Sequence, residues 1–292
     1  MSRLDALRSR IGGQVFGDRG VFPGPGHSRK DRSLSLMDAG GRIVAHSFAG
    51  DTFEEIRGYL FEHGVEITTA KDLTPEEKRA YAQARRAEKA RRAAEITEQR
   101  RICGELWDAA EPLGAQAHTY FAARGLPAGV VDLAAKADLR FLPACPCAPY
   151  APDGRTAPAV VARVTNPYGE TLGLHLTFPG RYRLMLGPQT GGMVRLTPEA
   201  GETLAVAEGI ETALAFSALH LVPCWAARSA LGLEQFRPPP GVHKVIIAAD
   251  GDAAGRLAAE RLQVMLASFV RVERADAPEG LDWNDVLRGV GA

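Results

Sequence analysis

Three short acidic clusters in the last third of this 292-residue chain carry the residue types and spacing for chemistry. They are Glu208-Gly209, Asp250-Gly251-Asp252 and Asp282-Trp283-Asn284-Asp285. Carboxylates brought close together repel one another, and a bound divalent cation is the usual remedy. Mg²⁺ takes one or two carboxylates, keeps several waters and accepts phosphate oxygens. Such a site does phosphoryl transfer, with the ion orienting a nucleotide and neutralising developing charge. The plainer reading is that Asp250 and Asp252 only form a turn and cap a helix. An Asp-x-Asp pair before a helix is weak evidence alone, and its weight comes from the Glu-Gly upstream and the third acidic turn downstream.

These clusters converge only if the elements before them lie side by side. Leu204–Ala207 reads as an apolar strand, 211–219 as a helix and 223–226 as a short strand. Val245–Ala249 is a continuous apolar run, as expected of a strand buried on both faces. Residues 253–267 place Ala254, Leu257, Ala258, Leu262 and Met265 at helical spacing, and 270–273 reads as a further strand. This alternation predicts an α/β fold with a mostly parallel sheet between helices. Ligands of such sheets bind at the carboxyl ends of the strands. Glu208, Asp250 and Asp252 are therefore predicted to meet, although more than forty residues separate the first from the others.

Upstream, Trp107, Leu113, Tyr120 and Phe121 fit helical apolar faces, with Gly125 as a stop. Residues 160–165 and 172–178 read as strands joined by an Asn166-Pro167-Tyr168-Gly169 turn. Residues 74–101 form one long predicted helix, opened by Thr74-Pro75-Glu76-Glu77 as a capping box. Its body is polar and rich in arginine and lysine, which suits a solvated linker with salt-bridged faces or, alternatively, a nucleic-acid contact. Residues 1–70 read as a small mixed unit. It has a strand near 33–36, a Gly40-Gly41 turn, a returning strand over 42–48 and a helix over 53–60. No internal repeat is visible.

Lysine plus arginine and aspartate plus glutamate number 35 each, so the formal net charge is zero and local distribution must decide any nucleic-acid affinity. Four cysteines, Cys103, Cys145, Cys147 and Cys224, do not make the framework of a small secreted domain. Cys145-Pro146-Cys147 has the wrong spacing for a C-x-x-C metal clip. There is no apolar signal region and no run of eighteen apolar residues. These features predict a cytoplasmic protein without membrane contact.

The segments Ala207-Glu208-Gly209-Ile210-Glu211-Thr212-Ala213-Leu214, Ala249-Asp250-Gly251-Asp252-Ala253-Ala254-Gly255 and Gly280-Leu281-Asp282-Trp283-Asn284-Asp285-Val286-Leu287 resemble, in order, the three signatures of the Toprim domain. They most resemble the form found in phage and plasmid primases and primase-helicases. The resemblance implies that Glu208 is a catalytic acid/base or metal-network residue. It implies that Asp250 and Asp252 bind Mg²⁺ or Mn²⁺, and that Asp282 is an auxiliary acidic ligand with Asp285 beside it. Tyr120 to Leu126, Leu139 to Phe141, Ala159 to Val164, Gly169 to Phe178 and Gly192 to Leu196 resemble the segment that precedes Toprim in such primases. By that likeness Arg155, Arg163, His175, Arg181, Arg183 and Arg195 would contact nucleoside triphosphate and template backbone. Gly24 to His27, Arg32 to Leu36 and His46 to Asp51 resemble the zinc ribbon that opens these primases. However, Gly24 stands where the first cysteine belongs, Ser47 and Gly50 or Asp51 replace the later pair, and only His27 survives. No zinc is therefore expected.

The resulting division is a degenerate ribbon-like unit over 1–70, a basic helical linker over 71–101, a mixed α+β primase-core subdomain over 102–198 and a Toprim domain over 199–292. The expected activity is synthesis of short RNA primers from ribonucleoside triphosphates on a single-stranded DNA template, for a plasmid, phage or other mobile element. No G-x-x-x-x-G-K-[ST] loop is present, so a replicative helicase would be a separate partner. The alternatives are a weakly active or inactive DNA-binding replication accessory, a Toprim nuclease, and a topoisomerase, for which the chain is short.

Overall fold

The computed structural model describes residues 2–39, 42–68 and 74–290, without the side chains of residues 68, 77, 80, 81 and 84. The expected Gly40-Gly41 turn and the Glu77 half of the expected capping box lie outside that set. The chain divides into two compact units, Met1–Ala93 and Ala94–Ala292.

In the first unit, helix α1 (Arg3–Ile11) precedes strands β1 (Gln14–Phe16), β2 (Arg19–Phe22), β3 (Leu34–Asp38) and β4 (Ile43–Ser47). Helix α2 (Phe53–Glu62) and strand β5 (Ile67–Thr68) follow. The five strands lie in sequence order, antiparallel except for the last pair. A capping box starts each helix, Ser2 with Asp5 and Thr52 with Glu55. Leu4, Leu7, Ile11, Phe22, Leu34, Leu36, Ile43, Ile56 and Leu60 make the core. Helix α1 and strands β1 and β2 were not foreseen, because the helix is short and the strands lack clear alternation.

His27, Asp31, Ser33, Ser47 and Asp51 draw together around Gly24. His27 Nδ1 lies 3.1 Å from Asp31 Oδ2 and 3.1 Å from Ser33 Oγ, and its Nε2 lies 3.8 Å from Asp51 Oδ1. The Ser47 hydroxyl donates to Asp51 Oδ2 at 2.6 Å. A Cβ on Gly24 would fall 2.9 Å from Asp51 Oδ2 and 3.2 Å from His27 Nδ1. The absence of a side chain at 24 leaves room for this hydrogen-bonded cluster. A structural zinc wants four ligands, mostly thiolate and imidazole, and this cluster offers one imidazole and two carboxylates already engaged by hydroxyls. Elemental analysis of tag-free protein is expected to find far less than one zinc per chain. Stoichiometric zinc lost on His27→Ala would contradict this.

Helix α3 (Pro75–Ala109) runs past the expected end at 101. The reason is that Cys103 and Leu106 are buried with strand residues of the second unit's core. Glu88 pairs with Arg91, and Arg101 with Glu98 and Glu105, so part of its charge is spent along its own surface.

The second unit continues with α4 (Ala115–Ala123), α5 (Ala128–Ala135), β6 (Leu139–Pro146), β7 (Thr156–Thr165), β8 (Thr171–Phe178) and β9 (Tyr182–Leu186). Then come β10 (Thr203–Ala207), α6 (Ile210–His220), β11 (Cys224–Ala226), α7 (Ala230–Glu234), β12 (Lys244–Ala249), α8 (Ala253–Leu266), β13 (Arg271–Asp276) and α9 (Trp283–Leu287). β6 to β9 form an antiparallel sheet in sequence order. The other four strands form a parallel sheet in the order β11-β10-β12-β13. Alternate residues of β10 and β12 feed two cores. Ala205, Ala207 and Ala248 pack with α6, while Leu204, Val206, Val245 and Ile247 pack with α8. That two-sided burial is why these strands read as unbroken apolar runs. All four cysteines are free thiols. Burial, then the neighbouring Cys147, pushes the Cys145 thiol up to about 12. Among the described residues no helix is long and apolar enough to cross a membrane.

Candidate active site

The parallel sheet delivers its acids at one edge. β10 ends at Ala207, so Glu208 leaves its carboxyl end and Gly209 caps α6. β12 ends at Ala249, followed by Asp250, and Asp252 caps α8, its Oδ1 accepting from the Gly255 N–H at 2.6 Å. After β13 the chain turns back against this loop. The Gly251 N–H donates to the Leu281 carbonyl at 2.8 Å, and Gly280 donates to the Gly251 carbonyl at 3.1 Å. A Cβ on Gly251 would lie 1.9 Å from the Pro278 oxygen, so only glycine lets the two turns meet. Their contact brings Asp282, the cap of α9, towards Asp250. Asp282 Oδ1 accepts from the Asp285 N–H at 2.8 Å. Asp252 and Asp282 are thus helix caps as well as members of the acidic edge. Trp283 secures the arrangement by packing edge-on to Phe216 of α6, with ring centroids 4.9 Å apart.

The electrostatics follow from this convergence. Burial, then the charges of Glu208, Asp282, Asp252 and Asp285, pushes the Asp250 carboxyl up to about 7. Burial and then Asp252 raise Glu208, opposed by the Ala230 N–H that donates to it. Asp250 Oδ1 is buried with no hydrogen-bond partner. A buried, unsatisfied carboxylate oxygen among like charges is the environment a divalent cation relieves. Among the described residues, no three His, Cys, Asp or Glu side chains are set to enclose an ion by themselves. The orphaned Asp250 oxygen among like charges fits a cation that takes one or two carboxylates and otherwise water and phosphate oxygens, as Mg²⁺ does.

The basic residues fall into separate groups. Asp138, with 0% exposure, receives Arg163 Nε at 2.8 Å and Nη2 at 2.6 Å, and Arg195 Nε at 2.8 Å. Arg163 and Arg195 are therefore the arms of a buried clamp. Arg163 also lies over the Trp107 ring, 4.7 Å from its centroid. Arg155 and Arg181 line an open hollow of about 490 Å³ with Cys147, Thr156 and Tyr182, and Arg155 is paired with Asp153.

Arg183, on β9, reaches α6 three residues after Glu208. Its Nη2 lies 3.0 Å from Glu211 Oε1, which also accepts from the Tyr120 hydroxyl at 2.5 Å. Burial alone would raise the Glu211 carboxyl, but Tyr120 and Arg183 outweigh it and hold it below the usual range. In the sequence Glu211 stands in the first acidic signature and opens a helix, but nothing signalled that Tyr120, 91 residues earlier, would meet it.

His175, on β8, is 6% exposed, and its Nδ1 lacks a hydrogen-bond partner. Burial, then Arg183, lowers its pKa from 6.5 to about 4. The folded protein keeps this imidazole neutral. Below pH 6.5 the unfolded chain takes up a proton that the folded chain refuses down to about pH 4. The stability that the neutral group contributes is thus present above pH 6.5 and lost as pH falls through that window, by on the order of 3 kcal/mol at most. Urea denaturation at pH 7.5, 5.5 and 4.5 is expected to show a shallower acid loss for His175→Gln than for the wild type. Equal slopes would contradict a neutral buried His175.

Residues 203–292 match the family model described as the Toprim domain, and residues 97–196 match DUF7146, a domain of unknown function. No curated protein matches the chain. Solved structures with some likeness include a DNA primase domain from Pseudomonas aeruginosa, at 17% identity and TM-score 0.46, over 65% of this chain and 75% of that one. The primase fragment of the bacteriophage T7 primase-helicase stands at 18% and 0.44, over 58% and 70%. The Aquifex aeolicus primase, with its zinc-binding and RNA polymerase domains, stands at 16% and 0.45, over 99% and 80%. The parallel β11-β10-β12-β13 sheet with its acidic carboxyl edge, and the match over 203–292, identify the C-terminal part of the chain as a Toprim domain.

Proposed function

We propose that the chain is a primase-like, metal-dependent nucleotidyltransferase that joins ribonucleoside triphosphates into short primers on single-stranded DNA. The observation that carries this reading is the carboxyl edge of the Toprim sheet. There Asp250, crowded by Glu208, Asp252 and Asp282, keeps a buried oxygen without a partner. Asp250 and Asp252 would hold Mg²⁺ or Mn²⁺, with Glu208 and Asp282 around it. Such an ion, when bound, supplies positive charge to the phosphate oxygens at the reacting centre.

The chain's own residues divide the remaining work. Glu208, raised above the ordinary carboxylate range, is suited to accept a proton at the attacking hydroxyl or to orient a water there. Arg183, steadied by Glu211, and the neutral His175 form a wall for nucleotide. Arg181 and Arg155 extend the cationic surface towards a template backbone, where phosphate contacts position without reading sequence. Arg163 and Arg195 would meet a phosphate only by sharing donors with Asp138. The DNA source as plasmid, phage or mobile element, and a separate helicase partner, belong to the same proposal, as does action in the cytoplasm.

The deciding experiment supplies single-stranded DNA, labelled ribonucleotides and Mg²⁺ or Mn²⁺. Short template-dependent RNA is the expected product, with DNA affinity falling steeply as salt rises. DNA binding without product would favour an accessory role, and DNA shortening without product a nuclease.

A further inference from the structure

The main chain of Arg228 lies against that of Glu208 at the carboxyl edge of the parallel sheet. Arg228 follows β11, and β11 pairs with β10, whose end carries Glu208. Its backbone is left-handed, with φ at 74°. Leu221 is the other non-glycine residue described with positive φ, and it closes α6, an ordinary place for such a residue. Arg228 closes no helix. A side chain at a strained position persists when its surroundings over-determine it, and such positions gather at functional sites.

Its surroundings do over-determine it. The Arg228 N–H donates to the Glu208 carbonyl at 2.6 Å, and the N–H of Ala230 donates to the Glu208 carboxylate. The guanidinium crosses to the loop after β9. It donates to the Gln189 side-chain oxygen, to the Gln189 carbonyl at 2.9 Å and to the Gly192 carbonyl at 2.8 Å. Gln189 is buried, and its amide nitrogen donates to the Leu174 carbonyl at 2.5 Å and the Leu186 carbonyl at 2.7 Å. A continuous set of hydrogen bonds therefore runs from β8 and β9 through Gln189 and Arg228 to the main chain of Glu208. No ion pair accounts for the guanidinium among the described residues. Glycine or asparagine would hold the same φ with less strain, so the backbone conformation alone does not call for arginine.

We propose that Arg228 is a positioning residue, which fixes Glu208 relative to the strand pair carrying His175 and Arg183. The proposal rests on reading Glu208 as part of a metal-dependent phosphoryl-transfer site. Arg228 itself touches no reacting atom. Its effect is to keep the acidic edge and the facing wall at one spacing, and an error of about 1 Å in such a spacing can cost on the order of 10²-fold in rate.

The test uses the full chain with Arg228→Gly and Arg228→Asn, which keep access to the left-handed backbone, and Arg228→Lys as the conservative variant. Mn²⁺ binding is read by electron paramagnetic resonance, together with thermal melting and with kcat and KM for ribonucleotide. The first two variants are expected to melt close to the wild type, bind Mn²⁺ at least fivefold more weakly and lose at least tenfold in kcat, with KM little changed. Arg228→Lys is expected to recover part of both losses. Wild-type Mn²⁺ affinity and kcat in the Gly and Asn variants would overturn the proposal. So would melting far below wild type in both, which would make Arg228 a structural brace. A wild type that binds Mn²⁺ but makes no primer removes the primase reading and leaves Arg228 to be judged on Mn²⁺ affinity. A wild type that binds no Mn²⁺ overturns the positioning proposal as well.

Discussion

Asp250→Asn and Asp252→Asn are each expected to abolish primer synthesis while the chain stays folded and still binds DNA. Amide replacement keeps the shape of the side chain and removes the charge that would hold a divalent cation against incoming phosphates. The loss is expected to be about 10³-fold or more in rate, equivalent to roughly 4 kcal/mol of transition-state stabilisation. Glu208→Gln should act in the same direction, through proton transfer or through the order of the site.

The metal-free fold should respond in the opposite sense. Asp250 has a carboxyl raised from 3.8 to about 7, so between those values the folded protein binds a proton that the unfolded chain has released. Stability from this group is full below pH 3.8 and is lost as pH rises through about 7. At pH 8 the metal-free wild type carries that penalty and Asp250→Asn does not. The variant should then be more stable by roughly 1–2 kcal/mol, after discounting for solvent screening. Near pH 4 the difference should vanish. Primer yield and melting curves at both pH values check both halves. Full activity in Asp250→Asn would remove Asp250 from the catalytic assignment.

The contrast between this edge and the rest of the unit explains what could be read without coordinates. β10 and β12 are buried on both faces, so each writes an unbroken apolar run, and the acid just past each run marks a carboxyl end. The turn that joins the edges is also local, since Gly251 and Gly280 sit within the motifs themselves. The clamp on Asp138 left no such trace. Its arginines lie 25 and 57 residues away, and in sequence neither differs from an ordinary charge. Arg228 was invisible for a different reason. Nothing in its neighbours announces a left-handed backbone, because glycine or asparagine usually holds that place. The early end expected for α3 shows a third limit. Its polar start reads as solvated, while its last turns are buried by strands that follow much later in the chain, Cys103 and Leu106 packing with Leu174 and Leu176.

Asp138→Ala is expected to be the most damaging single substitution to the fold of the second unit. The carboxylate is fully buried and accepts from two arginines, and the main chain repeats the connection. The Arg163 N–H donates to the Asp138 carbonyl at 2.9 Å, and the Asp138 N–H donates to the Arg195 carbonyl at 3.3 Å. Removing one partner of a buried ionic group typically costs about 3–5 kcal/mol, because the remaining charges lose their counter-ion and stay partly out of water. For a unit of this size, each kcal/mol lowers the melting temperature by about 2–4 °C, so a fall on the order of 10 °C is expected. Adding Arg163→Met and Arg195→Met should recover part of the loss, since the three groups act as one and their effects are not additive. The same set of variants separates a clamp from a phosphate contact. If the arginines mainly bridge β7 and the segment around Met193 through Asp138, the single variant melts early and gains no affinity for single-stranded DNA. If they mainly await phosphate, freeing them from Asp138 strengthens DNA binding and leaves the melting temperature nearly unchanged.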